Sequence, residues 1–186
     1  MSNKYENAKT KNCLSSTYSD VCRICARDGN MDISAAGFQA HGMIETPSAL
    51  PGAPSELSFY LTENSWLGKG TKFRRYTIRS DGFVSVHASM QGGEFTTKPL
   101  IFEGGLLDLN FSTSAAGGIL VEIQDAGGIP IEGFTIQDCY EIFGDNVSRP
   151  VVWKGDGDLN NLAGIPVRLR FVLRDADLYS FCFKKE

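Results

Sequence analysis

Histidine is scarce in this chain of 186 residues, where only His41 and His87 occur. Imidazole is the commonest general base and metal ligand near neutral pH, so most catalytic triads and histidine-rich metal centres lack raw material here. The strand-to-helix nucleophile motif G-x-S-x-G is also missing. No apolar run approaches the roughly 18 uninterrupted residues of a membrane helix, so no membrane partner is expected. A cationic excess is absent too. Lys and Arg number 18 against 22 Asp and Glu, for a net charge of -4, which argues against broad binding to nucleic-acid phosphates.

Half of a zinc site is missing as well. Cys22-Arg-Ile-Cys25 is a lone CxxC, with Cys13 nine residues earlier and only His41 nearby. A structural zinc wants four ligands, usually from two such pairs. The remaining cysteines, Cys139 and Cys182, make the total five, odd and scattered, which does not describe a disulfide framework. Free thiols are the expectation, with no cofactor.

Glycine, in contrast, is plentiful at 20 residues against 7 prolines, and suggests many tight turns. With 42% hydrophobic and 22% charged residues, the chain has the composition of an ordinary soluble globular protein. Its length favours one domain, with two small ones as the alternative. The stretch 1–12 is polar, holds Lys4, Lys9 and Lys11, and has no apolar core, so it reads as neither signal peptide nor anchor. Taken whole, the chain is expected in the cytoplasm. As a fragment of a longer secreted or periplasmic protein, its leader would lie upstream.

The character of the sequence changes near residue 50. Residues 1–30 hold five basic and three acidic residues, +2, which leaves -6 for the remainder. Residues 31–55 are small and loop-like and end in Pro51-Gly-Ala-Pro54. Residues 1–50 are therefore read as a tail or irregular lead-in, with a short strand at Phe38 to Ile44, and 51–186 as the folded domain. From Glu56 onward a period of two prevails: Leu57, Phe59 and Leu61 alternate with Glu56, Ser58 and Tyr60. Leu107, Leu109 and Phe111 alternate with Asp108, Asn110 and Ser112. Ile119, Val121 and Ile123 alternate with Glu122 and Gln124, and Val167, Leu169, Phe171 and Leu173 with Arg168, Arg170 and Arg174. Each reads as a strand with one buried and one wetter face.

Turn signals separate these strands: Ser80-Asp-Gly82, Gln91-Gly-Gly93, Glu103-Gly-Gly105, Ala116-Gly-Gly118, Ala126-Gly-Gly128 and Gly155-Asp-Gly157. Their spacing, about 8–12 residues, is that of a sandwich or barrel. Only Asp158 to Ala163 looks like a helical turn, with Asp158 as its N-cap. The expected fold is all-β, an antiparallel two-sheet β-sandwich of jelly-roll or concanavalin A-like type.

The segments Phe73–Arg79 and Phe83–Ala88 flank Ser80-Asp81-Gly82 and read as a hairpin. A three-residue loop with Gly82 left-handed sets Ile78 opposite Val84 and Tyr76 opposite Val86, which keeps apolar with apolar. Arg75, Thr77, Arg79, Phe83, Ser85 and His87 would then share the other face. That face would suit a ligand or a neighbouring domain.

Residues 55–183 resemble a β-sandwich module at the C-terminal end of bacterial proteins related to five-bladed-propeller glycosidases of the levanase and invertase type. The matching stretches include Glu56-Leu-Ser-Phe-Tyr60, Arg74 through Ala88, Thr97-Lys-Pro-Leu100, Asn110 through Ala116, Val121-Glu-Ile-Gln-Asp125 and Pro166 through Phe181. In such proteins the catalytic carboxylates belong to the propeller. None is present here, so the resemblance carries over no catalytic residue.

Three constellations remain. His87 with Asp81 or Cys139 would be the core of a small hydrolase, but on a strand's wetter face it reads as a surface or interface residue. Paired carboxylates about 5–10 Å apart would serve glycoside hydrolysis. Asp138, Glu141 and Asp145 lie close in sequence, and Asp156, Asp158, Asp175 and Asp177 are read at turns, where acids usually bond the local backbone. Asp156, Asp158 and Asn160 resemble the start of a calcium loop. Asn161 at the sixth position and Val167 at the twelfth exclude an EF-hand, which leaves a weaker calcium site on Asp156, Asp158 and Asn160 as the alternative to the preferred reading, a helix start capped by Asp158.

Aromatics supply the third. Trp66, in the loop Asn64 to Gly70, is a candidate sugar platform, and Trp153 is read as core. Arg168, Arg170 and Arg174 are expected to pair with Glu122 and other acids across strands. The candidate ligand-binding set is therefore Trp66, Arg75, Arg79, Phe83 and His87. The resemblance implies a non-catalytic accessory module, glycan-binding or supporting a glycoside hydrolase. The alternative is an interaction protein that self-associates or binds a partner through a sheet face, and a small hydrolase ranks last.

Overall fold

A computed structural model describes residues 9–12, 42–51, 53–63, 70–155 and 157–185. Among the described residues nine strands form: β1 (Lys9–Asn12), β2 (Ile44–Thr46), β3 (Glu56–Glu63), β4 (Lys72–Arg79), β5 (Val84–Ala88), β6 (Gly93–Thr96), β7 (Leu106–Asp125), β8 (Asp145–Pro150) and β9 (Val167–Lys184). A 3-10 turn, Leu159–Leu162, precedes β9. The protein is all-β, with two antiparallel sheets, as the alternation predicts. The six-stranded sheet runs β1-β5-β9-β7-β8, with β6 also paired to β9, and the three-stranded sheet runs β2-β3-β4. The chain divides into two compact units, one of Met1–Lys11 with Ser85–Glu186, the other Asn12–Val84.

The larger unit is organised by β7 and β9, which pair along nearly their whole lengths. Leu107, Leu109, Phe111, Ile119, Val121 and Ile123 of β7 join Val167, Leu169, Phe171, Leu173 and Leu178 of β9 in one apolar core. Phe134, Cys139, Ile142 and Trp153 extend that core from the connection between β7 and the 3-10 turn. Trp153 is core, as its alternation with Val152 suggests. Its Nε1 donates to the Val121 carbonyl at 3.0 Å, and its ring meets Phe134 edge-on at 5.3 Å.

Several local expectations are corrected. Ala116-Gly-Gly118 is no turn, because β7 continues through it as one strand. At this point residues 114–117 stand opposite the single residue Asp175, so the ladder carries a bulge. Asp175 takes φ 43, a left-handed conformation that aspartate tolerates better than most residues. A Cβ on Gly117 would sit 2.4 Å from the Asp175 carbonyl oxygen. Small residues are needed here because β7 must pass a kink in its neighbour. Asp175 and Asp177 therefore lie within β9 rather than in a turn.

The wetter face expected of β7 is covered as well. Asp108, Asn110, Glu122 and Gln124 are all buried. Buried carboxylates need partners. Asp108 receives Lys184 and Ser148, while Glu122 receives Arg170 at 3.4 Å, the Gln124 amide at 2.8 Å and the Ile136 backbone N–H at 3.3 Å. Arg170 also reaches Glu94, and Arg174 lies 3.4 Å from Glu141, which bears out the expected cross-strand pairing. Arg168 instead donates to the Ala126 carbonyl.

The hairpin of β4 and β5 is not formed. β4 pairs with β3, setting Leu57 against Ile78 and Phe59 against Tyr76, and β5 lies in the other sheet against β9. Eight residues of β3 pair with eight of β4, with apolar facing apolar at Leu57–Ile78 and Phe59–Tyr76, whereas β5 offers only five residues. The left-handed residue of the connection is Asp81 (φ 55), not Gly82. Gly82 instead packs where a Cβ would meet the Arg79 side chain at 2.3 Å. The strand expected at Phe38 to Ile44 meets the observed β2 only at Ile44, which pairs with Ser58: Gly42 and Met43 are not in a strand, and residues 38–41 lie outside the described ones.

Candidate functional site

The three-stranded sheet separates its side chains by parity. One face carries Phe59, Leu61, Tyr76 and Ile78 in a small apolar cluster, with the Phe59 and Tyr76 rings stacked at 5.7 Å. The register places Thr46, Glu56, Ser58, Tyr60 and Thr62 on the other face, beside Phe73, Arg75, Thr77 and Arg79.

On that second face two features stand out. Tyr60 and Phe73, diagonal neighbours in the ladder, stack almost parallel at 5.3 Å with an angle of 8°. Phe73 is 64% exposed, unusual for a large apolar ring in a strand. Two residues on, Arg75 is exposed yet fixed: its Nε donates to Ser58 Oγ at 2.9 Å and its Nη2 to Thr46 Oγ1 at 3.1 Å. The two hydroxyls themselves lie 2.7 Å apart, and Ser58 is wholly buried. Glu56, across from Arg79 in the register, accepts from Ser48 at 2.8 Å. An apolar platform and a pre-positioned guanidinium thus lie side by side, flanked by hydroxyls.

The residues expected to form one ligand face are partly dispersed. Arg75 and Arg79 share the face just described. Phe83, half-buried, belongs to the turn after β4. His87 lies on β5 in the other sheet, and Trp66 lies outside the described residues. Tyr60 and Phe73 were missed, although a signal existed: Phe73 has the same strand parity as Arg75 and Arg79.

His87 finds a partner other than Asp81 or Cys139. Its Nδ1 lies 3.1 Å from Asp177 Oδ1, which also accepts from Ser85 Oγ at 2.8 Å. The serine hydroxyl is spent on the carboxylate rather than aimed at the imidazole. A nucleophile-base-acid relay requires the opposite order. Cys139 is buried elsewhere, its sulfur accepting from the Val121 N–H at 3.3 Å. Burial pushes its thiol above the ordinary value, against smaller opposite effects of that N–H and of Lys154.

The carboxylates are locally engaged. Asp138 accepts from the Thr135 N–H and hydroxyl, at 3.2 and 2.7 Å. Asp158 caps the 3-10 turn as expected, accepting from Asn160 N and Nδ2 at 2.9 and 2.8 Å. Those bonds spend the Asp158 oxygen on Asn160, and Asp156 lies outside the described residues. His41, Cys13, Cys22 and Cys25 lie outside them as well. Among the described residues no group of three or more His, Cys, Asp or Glu is placed to hold a metal.

Compared with known proteins, the chain matches no family model, no curated protein and no solved structure.

Proposed function

We propose that this chain is a non-catalytic carbohydrate-binding module that presents glycan to a glycoside-hydrolase partner. The observation that carries the reading is the Tyr60–Phe73 stack beside the hydroxyl-anchored Arg75. Sugar rings offer apolar C–H faces to aromatic side chains and hydroxyls to nearby polar groups, the pairing this sheet face supplies. The resemblance to modules beside glycosidase propellers supports the hydrolase partner. A glycan array covering plant, microbial and host sugars should yield at least one ligand of millimolar or better affinity. Titration calorimetry should then show Phe73→Ala weakening it at least about tenfold, or roughly 1.4 kcal/mol. A blank array would overturn the proposal.

A second reading, an interaction protein, is favoured by a different observation. In the larger unit Tyr140, Phe143 and Val152 are 55%, 56% and 50% exposed. Lys154 lies 5.7 Å from the Tyr140 ring centre, and Arg149 the same distance from Phe143. Aromatic residues with adjacent cations are enriched at protein interfaces. Light scattering after size exclusion tests self-association: a strict monomer at high concentration removes that version.

A further inference from the structure

We propose that the ligand of the β3–β4 face is acidic, an oligosaccharide built from carboxylate-bearing (uronic acid) units. The inference rests on the glycan reading above and adds the chemical class. Of the cationic residues of β4, Arg75 and Arg79 lie on this face, whereas Lys72 and Arg74 have the parity of Tyr76 and Ile78. Among the described residues the acid on this face is Glu56, which the register sets opposite Arg79, while Arg75 stands opposite the neutral Tyr60. Charge complementarity therefore calls for an anion, although the whole chain carries -4.

The geometry of Arg75 narrows the anion. A guanidinium is a planar fork with five donors. Ser58 and Thr46 take the edge formed by Nε and Nη2. That leaves the Nη1–Nη2 end of the fork for a ligand, with the plane already fixed. A carboxylate matches such an end with two parallel hydrogen bonds. Because the arginine is held before binding, little side-chain freedom remains to be lost.

Spacing adds the sugar. Phe73 and Arg75 are two residues apart on one strand, so their attachment points are about 7 Å apart on one face. A pyranose ring stacked on Phe73 would bring a neighbouring carboxylate over Arg75. A neutral glycan would use the platform but leave the fork unmatched.

The test uses the full chain and calorimetry with three hexasaccharides: a uronate oligomer, its carboxyl-reduced neutral analogue and a sulfated oligomer. The uronate should bind at least tenfold tighter than the neutral analogue. Arg75→Lys, which keeps charge but loses the fork, should remove most of that preference, and Arg75→Gln all of it. Should either variant fail to fold by circular dichroism, the unaltered chain still decides. The uronate should protect Arg75 from an arginine-selective dicarbonyl reagent, read by peptide mass spectrometry, and the neutral analogue should not. Equal binding of uronate and neutral sugars, or no protection of Arg75, overturns the acidic assignment and leaves the glycan reading intact. Tighter binding of the sulfated oligomer overturns the carboxylate. Tighter binding of a single-stranded oligonucleotide, or no binding of any sugar, overturns both.

Discussion

Arg170 of β9 stands directly across the ladder from Glu122 of β7, and its Nη1 donates to the buried carboxylate at 3.4 Å. The same guanidinium bonds Glu94 on β6, so one cation ties three strands together. The hydrogen bond to Glu94 first, and Glu122 after it, holds Arg170 above its ordinary range, so it stays charged. Replacing it strands a buried charge. Arg170→Met should cost about 2 kcal/mol in urea unfolding. The double variant Glu122→Gln/Arg170→Met should recover part of that loss, since the buried carboxylate is then gone and only the half-exposed Glu94 lacks its cation.

Trp153 should report on the core of the larger unit. Trp153→Phe loses the hydrogen bond to the Val121 carbonyl and some volume, and should cost about 1–2 kcal/mol. Trp153→Ala removes the contact with Phe134 as well and should cost about 3–5 kcal/mol, read as a fall in the chemical unfolding midpoint.

Cys139 makes stability depend on alkaline pH. Its thiol is pushed above the ordinary value by burial, so the unfolded chain ionises first as pH rises. Between the unfolded and folded values the unfolded state binds fewer protons, and stability falls with rising pH. Unfolding midpoints measured from neutral pH to above 9 should therefore decline less steeply for Cys139→Ala than for the parent. In the native protein an alkylating reagent should modify exposed Cys182 well before Cys139, a difference that mass spectrometry reads directly.

Gly117 tests the bulge. A methyl group there would meet backbone oxygens of Asp175 and Arg174 at 2.4 and 2.6 Å, atoms that cannot swing aside. Gly117→Ala should destabilise the chain by about 2 kcal/mol in thermal or urea unfolding. Ala116→Ser, on the exposed neighbour, should change little and serves as the control.

Alternation by twos is a local property, and it located the β3, β7 and β9 segments and their buried sets without reference to anything distant. Leu57, Phe59 and Leu61, or Val167, Leu169 and Phe171, can bury together only as strands. The Asp158 cap was equally legible, because a side chain bonding an N–H two residues away involves no other part of the chain. Arg170 with Glu122 was legible as chemistry, an arginine seeking a carboxylate across a ladder.

What the residues could not announce was partner choice. Tyr76 and Ile78 satisfy a hairpin with β5 or a ladder with β3 equally well by local pattern. Only the summed match of eight residue pairs decides for β3. Ala116-Gly-Gly118 carries the marks of a turn, yet small residues also serve where a strand crosses a neighbour's kink, and that kink at Asp175 is 57 positions away. Asp108 and Glu122 look like solvent-facing residues until Lys184, Ser148, Arg170 and Gln124 arrive to cover them.

The same division runs through the candidate site. By itself the sequence determined an all-β chain with glycine-punctuated strands, too few histidines for most metal or triad chemistry, and an arginine-rich β4. Tertiary structure alone decided that Phe73 stacks on Tyr60 and that Arg75 is pinned by Ser58 and Thr46. The physical reason is range. Strand formation depends on neighbours two residues apart, whereas the chemistry of a sheet face depends on which strand is laid beside it, and in what register.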